Sequence, residues 1–201
     1  MLVSMPKPLS SADVEKFQST FCDIALTLIE ENGIDNTSLR SIAKAYGCSS
    51  MTPYRYFKDK EELLDIIRAR GFKTFIDRLD AITESDSPAM EKMHELAREY
   101  FEFALEKHTL YQLMFDRNAY NQTTHPQLQD QLDRLNKAWA SSARVSSDAG
   151  VNRVDSELAA QLFWAGMHGL VTLHISQSFN SKWSFEQMAT ELIDTMFIGF
   201  A

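Results

Sequence analysis

Apolar residues recur at intervals of three and four along nearly the whole 201-residue chain, the period of helices laid against a core. Val14, Phe17, Phe21, Ile24, Ala25 and Leu28 predict a first helix that Gly33 ends. Leu39, Ile42, Ala43 and Tyr46 predict a second, stopped by Gly47. A short third carries Met51, Tyr54 and Phe57. Pro53 has no backbone N–H to donate, so it belongs in that helix's first turn, which sets the start near Ser49 or Ser50. Asp59 with Glu62 three residues on forms a capping box for a long fourth helix bearing Leu63, Leu64, Ile67, Phe75, Ile76 and Leu79.

The stretch ESDSP at 84–88 reads as a loop, with Ser87 as cap and Pro88 at the first helical position. Met93, Leu96, Ala97, Tyr100, Phe101 and Ala104 share one face of the helix that follows. A shorter helix covers Leu110 to Phe115, and another opens at Pro126 with Leu128, Leu132, Leu135 and Trp139 on one side. Residues 144–154, with Gly150, read as a loop. A broadly apolar helix runs from Asp155 to about Ser178, and a capping box of Ser184 and Gln187 starts the last, along Met188, Ala189, Leu192, Ile193, Met196 and Phe197. Only 7 glycines and 5 prolines punctuate the chain, too few for a β-rich fold of this length, so the class is all-α. The expected organisation is a tail at 1–10, a compact three-helix unit at 11–58, a connecting helix at 59–83 and a helical bundle at 84–201.

Charge separates these parts. The chain carries a net −8, yet residues 37–60 hold Arg40, Lys44, Arg55, Lys58 and Lys60 against Asp59 alone, a local +4. Residues 71–201 hold 11 basic and 18 acidic residues, −7. That asymmetry predicts an anion-binding end on an acidic body. Cys22 and Cys48 have neither zinc-ligand spacing nor a disulfide framework and are expected to be buried, inert, reduced thiols. The start MLVSMPKPLS has no long apolar core, and no run of about 18 apolar residues occurs, so a cytoplasmic chain with no membrane span is expected. His168 and His174 are six apart on different helix faces, and His94, His108 and His125 lack ligand spacing, so no metal is expected. No nucleophile–base pairing or phosphate-binding glycine loop is visible, so neither an enzyme nor a cofactor is expected.

The segment TSLRSIAKAYGCSSMTPYRYFKDKEELL (37–64) carries the function. Two short helices joined by a tight turn at Gly47, with Cys48 directed into the junction, make a helix-turn-helix, whose second helix enters the major groove. Ser50, Met51 and Thr52 would stand at its leading edge, where hydroxyls and a thioether can meet base edges. Tyr54, Tyr56 and Lys60 would face phosphates. Tyr54 shares a face with Phe57 and has a second reading as core. Gly47, Thr52, Tyr54, Tyr56–Phe57 and Lys60, in this order and spacing, resemble the N-terminal signature of the tetracycline-repressor (TetR) family. The resemblance implies base contacts from Arg40, Ser50, Met51 and Thr52, phosphate contacts from Tyr54, Tyr56 and Lys60, and a dimer on a palindromic double-stranded DNA operator. Ser49, Arg55 and Lys58 complete the expected DNA-facing set.

FWAGMHGLVTL (163–173) resembles the tryptophan–histidine–glycine motif of one class of TetR C-terminal domain, through Trp164, His168 and Gly169. This implies that the two last helices pair with their mates in a homodimer. Ala165, Gly166 and Gly169 are small enough for a neighbouring helix to approach. His168 is read either as a pocket residue or as a packed interface histidine. Tyr100, Phe103, Tyr111, Phe115, Trp139, Trp164 and His168 are the candidates for an apolar effector site. The reading is a repressor released from DNA by a small apolar ligand. Its rivals are a helical ligand-binding protein or enzyme with a non-functional DNA-binding head, and a helical adaptor.

Overall fold

The computed structural model describes residues 10–116, 125–148 and 155–200. Among these residues there are eight α-helices, one 3-10 turn and no strand. The helices are α1 (Ser11–Asn32), α2 (Leu39–Tyr46), α3 (Lys60–Thr83), α4 (Ala89–Glu106), α5 (His108–Met114), α6 (Pro126–Asp148), α7 (Ser156–Ile175) and α8 (Phe185–Phe200). The all-α class holds. The chain divides into two compact units, Met1–Arg68 and Ala69–Ala201, and the division falls within α3.

In the first unit, Phe21, Ala25 and Ile29 of α1 pack with Leu39, Ile42 and Ala43 of α2 and with Phe57, Leu63 and Leu64. Ser38 and Ser41 cap α2 reciprocally. Gly47 ends it at φ 83°, ψ 29°, the left-handed conformation that glycine adopts without a Cβ clash. Gly33 ends α1 at φ 81°, ψ 158°, a region essentially restricted to glycine. Cys22 is buried, but Cys48 is only half-buried, so the thiol expected inside the helix junction sits at its rim.

The third helix differs from expectation. It is one 3-10 turn, Pro53–Arg55, not an α-helix from Ser49 or Ser50. Thr52 N–H donates to the Ser49 carbonyl, Arg55 to Thr52 and Tyr56 to Pro53, all three-residue spans. Pro53 has no N–H to bond the Ser49 carbonyl four residues back, so the α pattern cannot begin there. Pro53 and Phe57 point inward, while Met51 and Tyr54 are exposed. The Asp59 side chain caps α3 by accepting from Glu62 N–H at 2.9 Å. The return bond from Glu62 goes to the backbone N–H of Lys58 instead of Asp59.

In the second unit, α4, α6, α7 and α8 and the second half of α3 enclose a core of Phe72, Phe75, Tyr100, Phe103, Leu135, Val171 and their neighbours. Arg78 pairs with Glu99 and Glu106, joining α3 to α4. Arg134 pairs with Asp77 and Asp80, joining α3 to α6. Pro88 is the residue before α4 and no side chain caps that end, so the start falls one residue later than the Ser87–Pro88 signal implied. Helix α6 continues to Asp148 through the first part of the loop expected at 144–154, and Val145 is buried. Nothing in RVSSD stops a helix, whereas Gly150 lies outside the described residues. Ser184 and Gln187 form the reciprocal cap expected before α8.

Candidate functional site

The turn after Gly47 presents a row of side chains outward. Ser49, Ser50, Arg55 and Lys58 are exposed, as is Arg40 on α2. Met51 is 68% exposed and Tyr54 54% exposed, so two large side chains stand in solvent without core partners. Thr52, Tyr56 and Lys60 are half-buried. Tyr56 packs its ring on Phe17, with centroids 4.2 Å apart. The aromatic that leans on the core is therefore Tyr56, and Tyr54 is the free one. Lys60 was expected at a phosphate, but its ammonium donates to the backbone carbonyl of Ile34 and so pins the α1–α2 linker to the start of α3. Exposed hydroxyls, a thioether and cations on a tight turn suit a groove lined by base edges and phosphates.

A second site lies inside the second unit. The Tyr100 and Tyr111 hydroxyls are 2.6 Å apart, and Tyr111 lies 2.6 Å from His168 Nδ1. Both tyrosines are buried. Thr172 Oγ1 is 3.5 Å from the other imidazole nitrogen. Burial lowers the pKa of His168. It also raises the phenol pKa values of Tyr100 and Tyr111, so all three groups are neutral near pH 7. Phe115, Trp164 and Trp139 continue the cluster, with Phe115 5.2 Å from His168, Trp164 5.7 Å from His168 and Trp139 5.6 Å from Trp164. Trp164 Nε1 is buried beside the Tyr100 hydroxyl without reaching hydrogen-bond geometry. Tyr100 and Trp139 also line a small apolar cavity of about 40 Å³, with Leu79, Met93, Leu96, Phe163 and Met167. Six of the seven expected pocket residues thus come together. Phe103 does not: its ring meets Phe75 at 4.9 Å and lies under the Arg78 guanidinium.

The comparisons bear on both sites. Residues 22–67 match the family model described as bacterial regulatory proteins, tetR family. Residues 93–196 match the model described as tetracyclin repressor-like, C-terminal domain. The chain belongs to the TetR family. An HTH-type transcriptional regulator of Staphylococcus aureus (strain bovine RF122 / ET3-1) is 33% identical over 88 residues, covering 44% of this chain and 48% of that protein. The chain thus spans about half the length of the curated relatives it matches at this level. A solved structure of a protein of unknown function from Rhodococcus sp. RHA1 superposes with a TM-score of 0.76 at 24% identity, over 98% of this chain and all of that one. The structure of AibR in complex with isovaleryl coenzyme A and operator DNA gives a TM-score of 0.69 at 20% identity, over 90% of this chain and 97% of that one. These structural likenesses share the fold.

In this TetR-family chain, helix α7 has two apolar faces. Ala159, Phe163, Met167, Leu170 and Val171 are buried, while Leu158, Leu162, Ala165 and Leu173 face solvent. Both faces being apolar, Glu157–Ile175 is long and apolar enough by composition to cross a membrane, which the sequence pattern was expected to exclude; the buried face belongs to the core. Ile198 of α8 is 79% exposed. Gly166, expected to let a neighbouring helix approach, admits Met196 of α8, since a Cβ there would lie 2.8 Å from Met196 Cε. A Cβ on Gly169 would meet nothing within 4 Å. Met93 and Met167 of the cavity wall were not expected at a site, because buried methionines at helical spacing read as ordinary core.

Proposed function

We propose that this TetR-family protein is a dimeric DNA-binding transcriptional regulator, a repressor released from a palindromic operator by a small apolar ligand. The observation that carries this is the outward row of Ser49, Ser50, Met51, Tyr54 and Arg55 beyond the left-handed Gly47 turn. Met51 and Tyr54, two large exposed side chains on one turn beside exposed cations and hydroxyls, are placed to meet a partner. Residues 11–58 are the DNA-binding part, 59–83 the connecting helix and 84–201 the effector-binding and dimerisation part. The protein acts in the cytoplasm as a binding protein, not an enzyme.

The stripe of exposed Leu158, Leu162, Ala165 and Leu173 with half-buried Gly169, small residues at its centre, supports pairing of α7 and α8 with their mates. Two heads held about 34 Å apart would enter successive major grooves on one face of the duplex. A ligand with different affinity for two arrangements of the effector part would shift that spacing through the connecting helix. The AibR structure, with its acyl coenzyme A and operator, supports the pairing of ligand and DNA in one regulator of this fold.

The test is selection of duplexes from a random pool, followed by gel shift. Tyr54→Ala should weaken binding to all selected sequences alike, and Ser50→Ala should change which sequences are selected. Lys58→Ala should lower the slope of log affinity against log salt by about 1. Retention of no duplex by the wild-type chain overturns the proposal.

A further inference from the structure

The Tyr100–Tyr111–His168 chain is a run of neutral groups in a core without charge. Among the described residues, the buried charged side chains, Asp65 and Arg68, both lie in the first unit, and none lies in the second. Arg78 and Arg134 are already engaged by carboxylates at the edge of the second unit. An ionised ligand group entering beside Tyr100 would therefore meet no opposite charge, and an uncompensated buried charge is strongly disfavoured.

The hydrogen-bond inventory gives the opposite answer for a neutral oxygen. Three ring groups share two short hydrogen bonds, and the protons can run either way. With the proton on His168 Nε2, Tyr100 donates to Tyr111 and Tyr111 donates to Nδ1. With it on Nδ1, His168 donates to Tyr111, Tyr111 donates to Tyr100, and the Tyr100 O–H is released for another acceptor, on a side chain that also lines the cavity. Beside that hydroxyl lies the buried Trp164 N–H, close enough to favour the phenolate but short of hydrogen-bond geometry with it or with any other acceptor. A buried donor without a partner is rare in folded proteins and calls for an acceptor. The second arrangement thus offers two donors, from Trp164 and Tyr100, to one acceptor atom. Apart from the Trp139 indole, the rest of the cavity wall is hydrocarbon and thioether, and the methionines Met93 and Met167 are the side chains best able to rearrange around a molecule larger than the present volume.

From this geometry we infer that the effector is an uncharged, largely apolar molecule whose carbonyl oxygen is held by the Trp164 N–H and the Tyr100 O–H. This deepens, and rests on, the reading of the second unit as an effector domain. A ketone, an ester and a thioester share the chemistry; a free carboxylate and an ammonium are excluded by the uncharged core.

The test uses the full chain at pH 7.5 in isothermal titration calorimetry with three probes of equal chain length: 2-octanone, octanoate and octylamine. The ketone should bind at least tenfold more tightly than either ion. Trp164→Phe, which keeps a large ring but lacks the N–H, should weaken ketone binding about five- to tenfold, and Tyr100→Phe should also weaken it. Equal or tighter binding of octanoate or octylamine, or no binding by 2-octanone, overturns the inference on the wild-type protein alone, without dependence on how a variant folds. Undiminished ketone binding by a folded Trp164→Phe chain overturns it too. A gel shift on the same preparation separates the two levels: operator binding with no ketone preference defeats this inference only, while ketone preference with no operator binding defeats the regulator.

Discussion

Removing the Tyr111 hydroxyl should cost more than removing that of Tyr100, although the two groups touch. Tyr111 stands in the middle of the chain, 2.6 Å from each neighbour. Tyr111→Phe deletes two hydrogen bonds, worth about 1 kcal/mol each. It also strands the buried Tyr100 hydroxyl and the half-buried His168 Nδ1, at up to about 1–3 kcal/mol apiece if neither finds a partner. Those two are already 3.5 Å apart, so a small closure lets them bond each other and recovers part of the loss. The expected net effect is about 2–3 kcal/mol. Tyr100→Phe deletes one bond and leaves Tyr111 paired with His168, so about 1 kcal/mol is expected. In a chain already carrying Tyr111→Phe, the Tyr100→Phe substitution should cost a different amount than in wild type, because the two sites are coupled. Urea unfolding followed by circular dichroism, at one fixed protein concentration, measures all four chains. For a slope near 2 kcal/mol/M, Tyr111→Phe should lower the midpoint by about 1 M with the slope unchanged. Equal losses for the two single variants, or a larger loss for Tyr100→Phe, would show that the hydroxyl chain is not ordered as described.

Three further outcomes follow from features of both units. Gly47 is in the left-handed region that asparagine tolerates, so Gly47→Ala should cost about 1–2 kcal/mol by urea unfolding and Gly47→Asn clearly less. Gly33, at φ 81° and ψ 158°, lies where asparagine has no such advantage, so Gly33→Ala and Gly33→Asn should be similarly harmful, at about 1–3 kcal/mol. Burial lowers the His168 pKa, so below the unfolded value of about 6.5 the unfolded chain binds more protons. The stability linked to His168 is therefore fully present above that pH and is lost as pH falls through the folded value. The thermal midpoint should drop more steeply between pH 7.5 and 5.5 in wild type than in His168→Gln, and parallel curves would remove His168 from the account.

The helices were legible because each carries both a period and an end signal: Gly33, Gly47, the Ser184–Gln187 cap. The third helix escapes the pattern because Met51 and Tyr54 count as core on hydrophobicity alone. Pro53, a constraint on the backbone in the linear reading, is itself the buried residue, and it rotates the inward face onto Pro53 and Phe57. Exposed Met51 and Tyr54 look like core residues in a linear pattern because their hydrophobicity is the same on a surface as in an interior. In the second unit, aromatic composition pointed to the right population, and Tyr100, Tyr111, Trp139, Trp164 and His168 do assemble. The bond between Tyr111 and His168 spans 57 positions, and no local spacing encodes a partner that distant. The cavity lies between helices far apart in the chain, so Leu79, Met93 and Met167 carried no mark distinguishing a wall from filled core.

Helix α5 is seven residues long and touches two things at once. Its Tyr111 holds the imidazole of His168, while Leu110 and Met114 press on α3 at Gly71, where an added Cβ would lie 2.6 Å from Met114 Sδ. Tyr111 lies between Leu110 and Met114 on this one short helix, so a displacement of the phenol also moves the two side chains that meet Gly71. An added methyl group would leave the notch no room, so the Met114 thioether is the contact by which a shift of α5 reaches α3.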